Sequence, residues 1–183
     1  MKKTGNRGYI GLLYSIEKNR RESIEKMNAY SHKPEGYECP FCRVVSGIER
    51  PNQGTKQRDI IYQNDYVTAF IASKWWVNNK GHVLVVPNRH FENIYELPAE
   101  YATEIHRAAQ LTALAMKSTY GCDGISTRQH NEPAGNQDVW HYHLHVYPRY
   151  ENDQLYLTKG YQTDPDERHL YAEKLRSWIR KNV

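Results

Sequence analysis

The segment Trp140-His141-Tyr142-His143-Leu144-His145-Val146-Tyr147-Pro148 carries three histidines at alternate positions. Residues i, i+2 and i+4 of a β-strand share one face. The spacing therefore predicts a row of imidazoles on one side, with Tyr142, Leu144 and Val146 turned to a core. Aromatic and β-branched neighbours favour the strand; a helix would scatter the rings. A neutral imidazole can attack an electrophile, pass a proton or bind a metal. Three in a row therefore suit nucleophilic chemistry with donors beside it. The same three could instead hold a catalytic zinc. A solvated face holding three histidines by chance is the plain alternative. It is disfavoured by the Gly/Asn/Asp-rich loop beside the strand, of the kind that builds sites.

A second group lies far away in sequence. Cys39-x-x-Cys42 is a spacing at which two thiolates on a tight turn reach one tetrahedral ion. It also suits a redox pair, which would sit where a strand enters the helix of a thioredoxin-like βαβ unit. No such unit is legible here. Two small buried hydrophobes are the third reading. A structural zinc needs two more ligands, for which His90 and His141 are the candidates.

His141-x-His143-x-His145-Val146-Tyr147 resembles the histidine triad signature, His-φ-His-φ-His-φ-φ. The resemblance implies a protein that binds nucleotides and cleaves or transfers at the α-phosphate. It covers roughly residues 37–151. The zinc-containing branch, similar to nucleoside phosphoramidate and dinucleoside polyphosphate hydrolases, has a Cys-x-x-Cys near its start. Its third ligand is a His just after a strand that ends in proline, and its fourth is the first triad histidine. Cys39, Cys42, His90 in Val86-Pro87-Asn88-Arg89-His90, and His141 match one by one. A closed Cys₂His₂ set leaves no open position, so this zinc would be structural.

The resemblance assigns the nucleophile to His143, which would form a covalent nucleotidyl intermediate. His145 would donate to a non-bridging phosphate oxygen. His82, in Gly81-His82-Val83-Leu84-Val85, matches a histidine often found beside the site. Gln137 keeps its family place, but Asp138 stands where a Ser or Thr hydroxyl normally meets the leaving group. An ionised carboxylate cannot donate there. Asp138 would then orient or charge a histidine, or act as a general acid when protonated. Asn131 falls near a family Asn that touches sugar or phosphate. Phe70, Ile61 and Trp75 would line the base slot, although Phe70-Ile71-Ala72-Ser73 lacks the usual ribose-binding Asp. Pro148-Arg149 resembles the ending of diadenosine polyphosphate hydrolases. The implied substrate is a dinucleoside polyphosphate or a nucleoside phosphoramidate. The alternative is a non-catalytic nucleotide-binding regulatory module in which Asp138 marks lost chemistry.

The elements that must position these residues can be read in outline. Ile60-Ile61-Tyr62 and Tyr66–Ile71 predict a hairpin across Gln63-Asn64-Asp65. Lys74–Lys80 reads as a loop, and Gly81–Pro87 as a strand closed by proline. Pro98–Thr119 is the best helix, with Pro98 at its first position, Gly121 as its stop and an alanine-rich face. Ile125–Arg128 and Val139–Tyr147 are further strands. Pro165–Lys181 is a last helix, capped by Asp164 with Glu167 as box partner and striped by Leu170, Tyr171, Leu175, Trp178 and Ile179. Residues 9–30 read as an amphipathic helix. The expected fold class is α+β: a five-stranded antiparallel sheet with one long helix, plus N- and C-terminal helices. The expected division is a helical arm over 1–36, the triad domain over 37–151 and a helical tail over 152–183. The resemblance implies a homodimer paired through the long helix and its neighbouring strand.

Composition sets outer bounds. A chain of 183 residues can bury a core of ordinary size. Its 25 basic and 21 acidic residues leave a charge of +4, which suits anionic ligands without signalling nucleic-acid binding. No apolar run is long enough to span a membrane, and the broken apolar stretch after the basic start argues against a signal peptide. Three cysteines, two of them in one motif, fit a reducing cytoplasm.

Overall fold

The structure is a computed structural model that describes residues 30–50 and 54–183. The helix expected over 9–30 lies outside the described residues, apart from Tyr30. In chain order the elements are α1 (Pro40–Val45), β1 (Ile60–Gln63), β2 (Val67–Ile71), β3 (Lys74–Trp76), β4 (Val83–Pro87), α2 (Ala99–Tyr120), β5 (Gly124–Gln129), β6 (Leu144–Arg149), β7 (Gly160–Gln162) and α3 (Pro165–Asn182).

Five strands form one antiparallel sheet in the order β1-β2-β4-β6-β5. The α+β class and the five-stranded sheet are those expected. The β1–β2 turn is held by Asn64, whose Oδ1 accepts from the backbone N–H groups of Tyr66 and Val67 at 2.9 and 2.8 Å. Both β2 and β4 are buried along their whole length, because each face of the sheet is covered. Val67, Ala69, Ile71, Val83, Val85, Leu144 and Val146 meet Ile105, Ala108, Ala115 and Met116 of α2 and Ala172, Leu175 and Ile179 of α3. Phe70, Leu84 and Val86 point the other way, against Phe41 and Val44 of α1. Period-2 alternation thus divides the sheet into a helix face and a site face.

Several boundaries differ from expectation. Lys74–Trp76 is a strand, not a loop; it pairs with β7 in a second, two-stranded sheet. Pro98 is the extended cap of α2 rather than its first helical residue, while Gly121 ends the helix in the left-handed region at φ 65°. Asp164 caps α3 by accepting from Asp166 N and Glu167 N. The Glu167 carboxylate does not complete a box; it takes Lys80 Nζ at 2.9 Å. Leu170 is 63% exposed and leaves the apolar stripe to Ala172, Leu175 and Ile179.

Residues beyond 151 pack into the same core as the sheet. Their anchor is Arg168, buried with Asp59: Nε donates to Oδ2 at 2.9 Å, and the other guanidinium nitrogens reach the Thr163 and Gly54 carbonyls. The alanine-rich face of α2, with Ala108, Ala109 and Ala115, would suit pairing with a second chain through this helix, but it is already covered by the protein's own sheet and α3. No helix among the described residues is long and apolar enough to cross a membrane.

Candidate functional site

The triad segment enters β6 through a bend. Hydrogen-bonded pairing starts at Leu144, not Val139, because His141 N–H turns back to the Val139 carbonyl and Tyr142 N–H goes to the Phe91 carbonyl. The alternation survives the bend. Tyr142, Leu144 and Val146 enter the helix-side core, and His143, His145 and Tyr147 line a cavity on the other face.

His141 leaves this row for a different site. Ligand atoms of Cys39, Cys42, His90 and His141 all lie within 4.8 Å of one another, and among the described residues this group alone converges in that way. His141 Nδ1 is 3.3 Å from Cys39 Sγ and 3.5 Å from Cys42 Sγ, and His90 Nδ1 is 3.3 Å from Cys42 Sγ. Bonds of about 2.0–2.3 Å to a tetrahedral zinc put neighbouring ligands about 3.5 Å apart, so the separations fit. Cys39 caps α1, which turns Cys42 back toward it. His141 Nε2–H donates to the Pro87 carbonyl at 3.0 Å, which frees Nδ1 as the ligating nitrogen. Burial pushes His141 down to about 3, keeping the ring neutral. Burial, then the neighbouring Cys39, pushes the Cys42 thiol up to about 12, so a thiolate pair here requires a cation. The four residues form a closed Cys₂His₂ site for structural zinc. No strand among the described residues leads into α1, and the sheet is antiparallel, which removes the thioredoxin-like reading.

The cavity beside it measures about 410 Å³. His143 is buried on its wall, edge-on to Phe41 with ring centroids 5.2 Å apart. Its Nδ1–H donates to the His141 carbonyl at 2.7 Å, so Nε2 carries the free lone pair. Burial lowers the His143 pKa, and the Asp138 carboxylate opposes that shift. His82 is pushed down to about 3 by burial and is therefore neutral. Its Nδ1–H meets the Lys74 carbonyl at 3.2 Å, so Nε2 accepts from His145 Nδ1–H at 3.0 Å. That relay leaves Nε2 of His145 without a proton. Burial, with the charge repulsion of His143, His82, His130 and Arg128 behind it, holds His145 well below the usual imidazole range.

Asp138 is exposed and lines the cavity. Gln137 is buried inside the loop, bonded to Glu132 N, the Glu92 carbonyl and the Val139 carbonyl. Asn131 is tied to Ile94 N and to the Gln129 amide, away from the cavity lining. Its neighbour His130 lines the cavity instead, with Nδ1 2.6 Å from the Gly135 carbonyl and its ring 5.6 Å from His145. Ile61 and Trp75 are in the helix-side core, and Phe70 is covered by Phe41. The apolar lining they were expected to supply comes from Phe41, Leu84, Trp76 and Val139. Arg149 is held by Asp153 through two nitrogens, at 2.6 and 2.8 Å, outside the cavity.

Lys74, Arg128 and Gln162, also on the cavity wall, escaped the sequence reading as well. Arg128 is opposite His145 in the β5–β6 register, so the pairing puts it on the imidazole face. That register could have been read once β5 was known. The β3–β7 pairing, which brings Lys74 opposite Gln162, had no local signal.

Residues 53–152 match the HIT domain family. A relative from Bacillus subtilis, "Protein hit", is 33% identical over 112 residues, 61% of this chain and 71% of its own. The Arabidopsis thaliana adenylylsulfatase HINT3 is 23% identical over 146 residues, 80% of this chain and 70% of its own. Among solved structures, a zinc-bound histidine triad family protein from Mycobacterium smegmatis aligns with a TM-score of 0.65 at 27% identity. That alignment covers 79% of this chain and 95% of the other. With the triad on β6, the Cys₂His₂ corner and the five-stranded sheet in place, the chain belongs to the HIT domain family, the histidine triad proteins.

Proposed function

We infer that the protein is a nucleotide hydrolase or nucleotidyl transferase that cleaves at the α-phosphate through a covalent nucleotidyl-His143 intermediate. The observation that carries this reading is the His143 tautomer. A ring whose Nδ1–H is held by the His141 carbonyl presents an unprotonated Nε2 on a cavity wall. Nε2 would attack the α-phosphorus, forming an N–P bond as the bond to the leaving group breaks. Water would then cleave the N–P bond. His145 is buffered by the His82 relay and would donate to a non-bridging oxygen once a bound phosphate draws a proton onto its Nε2. The adenylylsulfatase relative supports chemistry at an adenylyl phosphorus.

Asp138, which lines the same cavity, would stand on the leaving-group side of this scheme. As a general acid it would contribute about 10²–10⁴-fold to the departure of a basic leaving group. The substrate range in this reading is dinucleoside polyphosphates and nucleoside phosphoramidates, in a cytoplasmic enzyme. A homodimer belongs to the same reading, supported by the outer edge of β5, unpaired among the described residues, and by the exposed α2 face of His106, Gln110 and Leu114. The rival reading, a non-catalytic nucleotide-binding module, rests on the carboxylate at position 138 alone.

A burst assay with a fluorogenic adenosine phosphoramidate decides between them. The enzyme reading expects a stoichiometric burst, and a loss of more than about 10³-fold in His143→Ala with zinc content unchanged. Asp138→Asn should slow an alkylamine leaving group far more than an activated aryl one. Nucleotide binding without turnover in the wild-type protein would establish the module instead.

A further inference from the structure

We propose that Arg128 and Lys74, with the β3–β7 sheet behind them, form a leaving-group subsite that selects a polyphosphate chain over a neutral amine. The inference rests on the hydrolase reading and names the substrate class of that same site.

The two cations line the cavity that holds His143 and His145. Neither takes part in an ion pair among the described residues, whereas most other well-placed arginines do. Arg149, one strand away, is neutralised by Asp153, and Arg168 by Asp59. Arg128 instead lies over two aromatic rings, with Cζ 4.0 Å from the Tyr156 centroid and 5.7 Å from that of Tyr147. An aromatic face orients a guanidinium without cancelling its charge. Arg128 is also opposite His145 in the sheet register. Its charge reaches the cavity interior, where it helps to depress both His82 and His145. The cavity's fixed charges are therefore Lys74 and Arg128 against Asp138. The histidines beside them, His82 and His145, are held neutral.

Lys74 is positioned by packing. It pairs with Gln162 across the small sheet, and its stem runs over Gly160 so closely that a Cβ there would meet Lys74 Cε at 2.8 Å. Gln162 lines the cavity as well. Tyr156, Gly160 and Gln162 all lie beyond residue 152, where the family match ends. The residues that brace Arg128 and Lys74 are thus supplied by the C-terminal segment, outside the matched domain. A neutral amine gains nothing from two unpaired cations. A polyphosphate leaving group gains charge-assisted hydrogen bonds from each, and bidentate ones from Arg128.

The test compares kcat/KM for diadenosine triphosphate with kcat/KM for an adenosine phosphoramidate bearing a neutral amine. The ratio should fall by about tenfold or more in Arg128→Gln, and in the same direction in Lys74→Met. Arg128→Lys, which keeps the charge, should recover most of it. An unchanged ratio in both neutralising variants, each confirmed as folded by zinc content and melting temperature, overturns the subsite. A second arm measures binding of a methylene-bridged diadenosine triphosphate and of AMP. Arg128→Gln should weaken the former more than the latter, and equal weakening counts against the proposal. If the wild-type protein turns over neither substrate, the hydrolase reading falls, and the binding arm alone decides the subsite.

Discussion

His141 and His143 are two residues apart, yet they belong to sites with opposite designs. His141 joins two thiols and His90, and its second nitrogen is used by the Pro87 carbonyl. Every donor converges, and the set is closed. His143 shares its cavity with His82, His130 and His145, but these rings form a relay rather than a shell: both nitrogens of His82 are engaged, whereas His130, His143 and His145 each have one tied to a carbonyl or to a neighbouring ring. The bend before Leu144 makes the separation. It turns His141 toward α1 and leaves His143 on the sheet's site face. A triad that bound one catalytic metal would need its three rings to converge, and the first of them is already claimed by the thiol corner. Thiols with convergent geometry hold the fold; imidazoles with one nitrogen free serve chemistry.

The largest effect should come from breaking the closed corner. Cys39→Ser removes a zinc ligand, while its hydroxyl can still cap α1, so the effect isolates the metal. Zinc content, expected at about one per chain in the wild type, should collapse, and Tm should fall by roughly 10 °C, since each kcal/mol moves Tm by about 2–4 °C in a chain of this size. His143→Ala, in contrast, should leave zinc and Tm nearly unchanged. Full zinc occupancy in a Cys39→Ser, Cys42→Ser double variant would sink the ligand assignment.

A smaller effect should distinguish the relay. Burial holds the folded pKa of His82 at about 3 against an ordinary value of 6.5. The unfolded chain therefore binds the extra proton first as pH falls. The stability that His82 contributes is complete above pH 6.5 and is lost progressively between there and about pH 3. The slope is at most about 1.4 kcal/mol per pH unit for one such group. Urea midpoints at pH 7 and pH 5 should separate more widely for the wild type than for His82→Asn. Equal separation would mean that another group sets the acid sensitivity.

The parts of this arrangement that the sequence revealed are those written in local pattern. Alternation in Tyr142–Val146 marked the two faces, and Cys39-x-x-Cys42 with His90 and His141 marked the metal corner. The strands β2 and β4, the hairpin at Asn64 and the stop at Gly121 followed from residue type. What stayed hidden depends on partners distant in the chain. Lys74–Trp76 is three residues long and becomes a strand only because Gly160–Gln162 pairs with it. Asn131 and His130 were exchanged because the loop's turn decides which of the two neighbours faces inward. Ile61 and Phe70 were assigned to a base slot on character alone. The register sends Ile61 to the helix face, and α1 covers Phe70. The alanine face of α2 reads as an interface with a second chain until α3, far along the sequence, is seen to contribute to the core it enters.

The smallest expected effect concerns the segment just before the metal corner. Ser31 Oγ and His32 N–H both bond the buried Glu92 carboxylate. His32 Nε2 is 3.1 Å from Glu132 Oε2, and its ring is 5.8 Å from Trp140. Glu132 also accepts from Tyr95 OH at 2.7 Å, and its N–H is held by Gln137. The Glu92 contacts lie two residues past His90, whereas the His32 side chain reaches Glu132 and Trp140 on either side of Asp138, so that ring bears on the cavity loop. Ion pairs this exposed contribute little. His32→Ala should therefore shift Tm by no more than about 2 °C. Its mark should appear in the loop, as faster amide exchange over residues 133–138 and a modest rise in KM with kcat nearly preserved. A fall in Tm like that of Cys39→Ser would instead make the segment part of the closed corner. Unchanged exchange and an unchanged KM would show that Tyr95 and Gln137 hold the loop without it.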